Sequence, residues 1–179
     1  MPFENNNIKK RTMPLYDLVY SDKHFLTLKL EKELEYNYDS YLVGEYTTNE
    51  CIRETLGFAI EGLNIGLYAN ERAYCVAFGE DGSIMGGYLI SLGKNDCTEM
   101  IHENLFKFLI VLGAAKFCIF HNHPGVHAYD LSEADKRVAE KTNHIGELLG
   151  IEMVDSLVID AVGGWNGYKS NIIYDDCPY

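Results

Sequence analysis

The sequence lacks a long apolar run, a paired cysteine motif and any excess of positive charge. No stretch approaches the ~18 to 20 uninterrupted apolar residues of a membrane span. The first thirteen residues are Asn-rich and carry Lys9-Lys10-Arg11 in place of the apolar run of a secretory signal, so a cytoplasmic address is the expectation. The five cysteines (Cys51, Cys75, Cys97, Cys118 and Cys177) are odd in number and form no CxxC pair. They read as reduced, small core residues, with no zinc knuckle and no disulfide frame. Lys and Arg total 15 against 27 Asp and Glu, for a net charge of -12. That balance argues against direct nucleic-acid binding, which needs a basic surface. Internal repeats and low-complexity tracts are absent as well.

What remains suits one soluble domain: 179 residues, 47% hydrophobic and 23% charged. Residues 1–13 read as a flexible N-terminus. Leu15 to Tyr20 and Phe25 to Leu30 alternate and favour strands. Residues 31–44 are acidic and Tyr-rich (Tyr36, Tyr38, Tyr41) and read as loop. Thr47-Thr48-Asn49-Glu50 supplies caps for a helix carried by Ile52, Leu56, Phe58, Ala59 and Leu63, with Gly62 or Gly66 to close it. Residues 71–78 are a strand, Glu80-Asp81-Gly82-Ser83 a hairpin turn, and residues 84–91 the return strand with a possible bulge at Gly86-Gly87. Residues 96–112, capped by Asp96 or Thr98, form a second helix. Residues 114–121 are an almost wholly apolar strand, of the kind buried on both faces. Residues 132–149 are a third helix ended by Gly150. Residues 151–159 form a strand, 163–167 a turn and 168–174 a last strand. This order predicts an α/β fold, one mixed sheet flanked by helices.

The chemistry concentrates in His121-Asn122-His123-Pro124 and Ser132-Glu133-Ala134-Asp135. On a strand, side chains at i and i+2 point the same way, so His121 and His123 can converge. Pro124 ends the ladder, and residues 125–131 can turn the chain back to deliver Asp135. Two imidazoles and a carboxylate leave the fourth position of a catalytic zinc site open. His127 and Asp130 in the same loop are competing ligands. Ser132 and Asp135 also form the pattern of a capping box, in which both side chains satisfy free amides of a helix start. A hydrolytic site further needs a base outside the ligand set. Glu71 is the candidate, with Glu80 and Glu103 as rivals. Ser132 is placed to donate to an oxyanion, or simply to cap the helix. His24, His102 and His144 stand alone and are assigned nothing.

Glu71, His121-x-His123-Pro124 and Ser132-x-x-Asp135 together resemble the JAMM motif of the JAB/MPN metalloprotease-like superfamily. The chain is closest in pattern to the bacterial RadC-like JAB domain, through its His-Asn-His-Pro and its Gly146-Glu147-Leu148-Leu149-Gly150-Ile151 run. The resemblance covers about residues 70–175 and leaves 14–69 as strands and a helix that belong to the core or pack on it. It implies a cytidine-deaminase-like JAB/MPN architecture. It implies Zn2+ held by His121, His123 and Asp135, and it selects Glu71 as the base over Glu80 and Glu103. Ser132 then serves the oxyanion. The implied activity is that of a metallopeptidase or isopeptidase: Glu71 draws a proton from zinc-bound water, which attacks an amide of an unidentified protein or peptide substrate. The alternative is a non-catalytic zinc-containing module that works through protein partners in DNA repair or mobile-element biology. The loop 124–131 is one residue longer than the family's, and Leu131 and Ser156 replace the family's Pro and His.

Overall fold

The computed structural model describes residues 10–37, 49–92, 102–126, 128–170 and 173–174. The expectations for His127, Cys97, Cys177, Tyr38, Tyr41, the caps at Thr47, Thr48, Asp96 and Thr98, and residues 1–9 of the N-terminus lie outside them.

Eight strands form one mixed sheet: β1 (Lys10–Tyr20), β2 (Leu26–Asn37), β3 (Arg72–Phe78), β4 (Ile84–Leu92), β5 (Lys116–Asn122), β6 (Glu152–Ile159), β7 (Trp165–Gly167) and β8 (Ile173–Tyr174). Their order is β2-β1-β4-β3-β5-β6-β7-β8. The pairs β1/β4 and β5/β6 are parallel and the rest antiparallel. The helices are α1 (Glu50–Gly57), which runs on into a π-helical turn (Phe58–Gly62), α2 (His102–Leu112) and α3 (Glu133–Leu149). Among the described residues no helix is long and apolar enough to cross a membrane.

The central strands β3 and β5 are buried on both faces, as expected for the strand at 114–121. One face carries Tyr74, Val76, Phe78, Cys118 and Phe120 against Ile52, Leu56 and Phe58 of α1 and its π turn. The other carries Ala73, Cys75, Ala77, Phe117 and Ile119 against Leu105, Phe108 and Leu109 of α2 and Ala139 of α3. His121 follows the parity of Phe117 and Ile119, and so belongs to the α3 face. Asn122 follows Cys118 and Phe120 to the α1 face. Cys51, Cys75 and Cys118 are buried free thiols, as expected.

Four sequence expectations need correction. Residues 168–170, expected as the start of the last strand, are a turn between β7 and β8. Residues 31–37 are not loop but the second half of β2, paired residue by residue with β1. Residues 10–13, expected within the flexible N-terminus, are ordered in β1. Trp165-Asn166-Gly167, expected in a turn, is strand β7 against Leu157, Val158 and Ile159. The hairpin β1/β2 joins the core through Glu54, a carboxylate of α1 only 6% exposed. It accepts the Tyr36 hydroxyl at 2.5 Å and faces Arg11 Nε at 3.2 Å. Burial and the adjacent carboxylate together push the Tyr36 hydroxyl far above its ordinary range.

The Gly146-to-Ile151 run has a mechanical meaning. Gly150 takes the left-handed conformation (φ 70°). The Ile151 N–H donates to the Gly146 carbonyl at 2.9 Å, and the Gly150 N–H to that of Glu147 at 3.3 Å. This is a Schellman ending, and it folds Ile151 back so far that a Cβ on Gly146 would stand 2.6 Å from the Ile151 carbonyl oxygen. Gly146→Ala is therefore expected to destabilise the fold by ~1–3 kcal/mol, because overpacking against fixed backbone outweighs the ~1 kcal/mol of helix propensity that alanine adds. A melting temperature equal to or above that of the wild type would contradict this.

Candidate metal centre

β5 ends at Asn122, and the His123 N–H continues the ladder by donating to the Ile159 carbonyl at 2.9 Å. His121 and His123 thus leave the sheet end from one face. Their Nε2 atoms stand 3.1 Å apart. The loop then crosses to α3, pinned on the way by the Ala161 N–H donating to the Gly125 carbonyl at 2.9 Å. Its extra residue does not prevent closure. Asp135 Oδ1 reaches His121 Nε2 at 3.1 Å, and Oδ2 reaches His123 Nε2 at 3.6 Å. The three side chains are 12%, 20% and 16% exposed, so they are largely enclosed yet reachable by solvent. Their donor atoms lie within 4.8 Å of one another and could hold a metal ion.

The donor set fits a divalent cation chemically. His123 Nδ1 lies 2.7 Å from the Ala128 carbonyl oxygen, an acceptor with no proton of its own. Nδ1 must therefore carry the hydrogen, which leaves a lone pair on Nε2 directed at His121 and Asp135. Burial alone would raise the Asp135 carboxyl. The hydrogen bond and charge of His121, with bonds from Ser132, outweigh that effect and hold it well below the usual carboxylate range. The result is a fixed anion beside converging imidazole nitrogens, an arrangement that a cation relieves.

Ser132 caps α3. Its Oγ accepts the Asp135 N–H at 3.2 Å, while its own N–H donates to Asp135 Oδ2 at 2.8 Å. The capping box read from the sequence is present, and the ligand carboxylate belongs to it. The Ser132 hydroxyl also donates to Asp135 Oδ2 at 2.6 Å, so one serine fixes both the helix start and the carboxylate rotamer.

Glu71 immediately precedes β3. Ala73 pairs with His121, and the antiparallel register continued by two residues brings Glu71 level with His123. The rivals lie elsewhere. Glu80 sits in the turn at the opposite end of β3, and Glu103 is ion-paired to Lys107 on α2. Asp130 is exposed and outside the donor cluster.

The residue missed in the sequence is Asn122, wholly buried between the two histidines but facing away from them. Its Oδ1 accepts the Arg72 N–H at 2.8 Å, and its Nδ2 donates to the carbonyls of Tyr68 at 3.2 Å and Asn70 at 3.4 Å. Both ends of the loop that carries Glu71 are thereby tied to β5. Only an unsatisfied-looking amide inside a buried strand could have signalled it.

A family model described as the RadC-like JAB domain matches residues 49–170. The chain belongs to that family. The RadC-like JAB match opens at the N-cap of α1 and contains both histidines and Asp135, while β1 and β2 precede it. The sheet with its three helices accords with a JAB/MPN-like fold. A UPF0758 protein of Clostridioides difficile is 30% identical over 84 residues, 47% of this chain and 35% of that protein. UPF0758 proteins of Finegoldia magna and Thermotoga maritima are 28% and 25% identical, over 54% and 45% of this chain and 43% and 36% of theirs. The matches span well under half the length of these relatives.

Proposed function

We propose that the domain is a zinc-dependent hydrolase of peptide or isopeptide bonds. The observation that carries this reading is the convergence of His121 Nε2, His123 Nε2 and one Asp135 carboxylate, with the His123 tautomer fixed through Ala128. Nitrogen and carboxylate donors of this kind suit zinc. A bound ion would act as a Lewis acid, acidifying a water and polarising the scissile carbonyl. Among the described residues the cluster has three members, the number that catalytic rather than structural sites use.

The chain's own groups supply the rest. Glu71 is the base: it takes a proton from the attacking water and hands it to the leaving amine. Ser132 holds Asp135 in its ligating rotamer. After rotation about χ1 its hydroxyl can instead donate to the oxyanion, at the cost of the 2.6 Å bond to Asp135. The substrate is a protein or peptide. The net charge of -12 disfavours a nucleic acid.

The test is cleavage of a mixed peptide and isopeptide panel, with new amino termini detected by mass spectrometry. Turnover is expected with one zinc per chain, lost on chelation and restored by the metal. A zinc-loaded protein that cleaves nothing in the panel would favour the non-catalytic alternative.

A further inference from the structure

The seam between the hairpin and the family core opens into a cavity of about 330 Å³. β1 and β4 pair at only two positions, Leu15 with Gly87 and Tyr16 with Tyr88. Register shifts lie on both sides of this point. One is in β2, where Leu15 faces Lys32 and Tyr16 faces Leu30, and the other is in β4, where Ala73 faces Ser91 and Tyr74 faces Leu89. Each extra residue increases local twist, and the two ribbons part. Side chains of both sheet faces therefore line one space: Tyr74 and Tyr68 from the α1 side, Tyr16 and Tyr88 from the α2 side.

Arg72 also lines it. Its guanidinium lies 3.6 Å above the Tyr68 ring. Among the described residues Arg72 has no ion-pair partner, although Asp17 and Glu31 line the same cavity. The half-buried guanidinium is stacked on one face and hydrogen-bonded to the Tyr74 hydroxyl, and of its five N–H donors enough are left over for a planar anion. The tyrosine rings offer flat walls for an apolar ring. Asp17 and Glu31 would repel a second acidic group. The cavity is at the small end of ligand pockets, which suits one or two residues of a chain.

Its position ties it to the metal centre. Arg72 follows Glu71, and Asn122 grips the backbone of both Arg72 and Tyr68. Leu15, Tyr16, Asp17, Glu31 and Lys32 all lie before the matched family region. Half of the cavity's lining thus comes from the hairpin that precedes the matched region, and half from within that region.

We propose that this cavity is a substrate subsite, taking an aromatic side chain together with one carboxylate of the peptide. It rests on the amide-hydrolase reading for its substrate class. The carboxylate can be an Asp or Glu side chain or a free carboxy terminus.

The test is fluorescence anisotropy with labelled octapeptides and the zinc-loaded Glu71→Gln variant, in which cleavage does not interfere. Peptides containing Phe-Asp, Phe-Asn or Ala-Asp are compared, together with peptides ending in Phe as free acid or amide. Phe-Asp or the free-acid Phe peptide should bind about tenfold or more tightly than its partner lacking the carboxylate, the size of a charge-assisted hydrogen bond. Which of the two does so identifies the source of the carboxylate. Phe-Asp should also bind better than Ala-Asp. Arg72→Met should erase the carboxylate preference and keep that for the ring. Equal binding of acid and neutral peptides, no binding up to millimolar concentration, or a preference that survives Arg72→Met would overturn the proposal. The peptide comparison decides even if Arg72→Met does not fold. A wild type that binds selectively but never cleaves would leave the subsite standing and remove the hydrolase reading.

Discussion

Glu71→Gln is expected to reduce turnover of a cleavable peptide by about 10²–10⁴-fold, the usual contribution of a positioned general base. The change keeps shape and removes proton affinity. Glu71 is not one of the three clustered donors, so zinc content should stay at that of the wild type. Glu80→Gln, at the far end of β3, and Glu103→Gln, on the exposed side of α2, should leave turnover unchanged. The measurements are kcat/KM and elemental analysis on the same samples. Turnover like that of the wild type would remove Glu71 from the mechanism. A loss of zinc together with activity would make it a ligand.

The elements that a single sequence reveals here are those whose periodicity is unbroken. β5 carries four consecutive apolar side chains, Phe117 to Phe120, and α3 carries its cap and its glycine stop. The second half of β2 is hidden by the strand's own bulge. Leu28 faces the α2 side, but Leu34 and Tyr36, at the same parity, face the α1 side. The register shift near Glu31 turns the strand over midway, so its alternation of Leu and charged residues has no consistent phase. Its exposed Lys and Glu residues suit an edge strand that must not pair further, and they imitate a loop in composition. β7 failed for another reason: three residues inside a Gly-rich stretch carry too little pattern.

The site divides along the same line. His121, His123 and Asp135 were legible because local rules, the i/i+2 parity of a strand and the first turn of a helix, bring them together. Glu71 required the pairing of β3 with β5, which no local spacing encodes. Sequence position alone leaves it a candidate beside Glu80 and Glu103, and the resemblance selects it. The task of Asn122 is not legible locally, because its three partners lie 50 to 54 residues away in the chain. The Ser132-Asp135 pair reads from sequence as either cap or ligand. The geometry makes the choice unnecessary, since the capping hydroxyl steadies the carboxylate that faces both imidazoles.

Asn122→Leu carries the second large effect. It keeps the branched shape and strips the Arg72 N–H and the carbonyls of Tyr68 and Asn70 of their partner inside the protein. Loss of a buried hydrogen-bond partner costs ~1–3 kcal/mol, and the two carbonyls can turn toward water, so a melting temperature several degrees lower is expected. The loop 68–72 then loses its attachment to β5, and Glu71 loses its position. A base displaced by about an ångström lowers turnover by about 10²-fold. Zinc content should hold, because the histidines face the other way: His123 is anchored at Ile159 and Ala128, and His121 is held within β5 between Ala73 and Val158. Asn122→Asp keeps the acceptor for Arg72 and sets an oxygen against two carbonyls, so it should fall no less. The decisive measurement is the double variant. If Asn122 acts through Glu71, then Asn122→Leu made in the Glu71→Gln background should lower the residual rate by less than about threefold, since the group it positions is already gone. A full further 10²-fold loss there would mean that Asn122 shapes the site by some route other than Glu71.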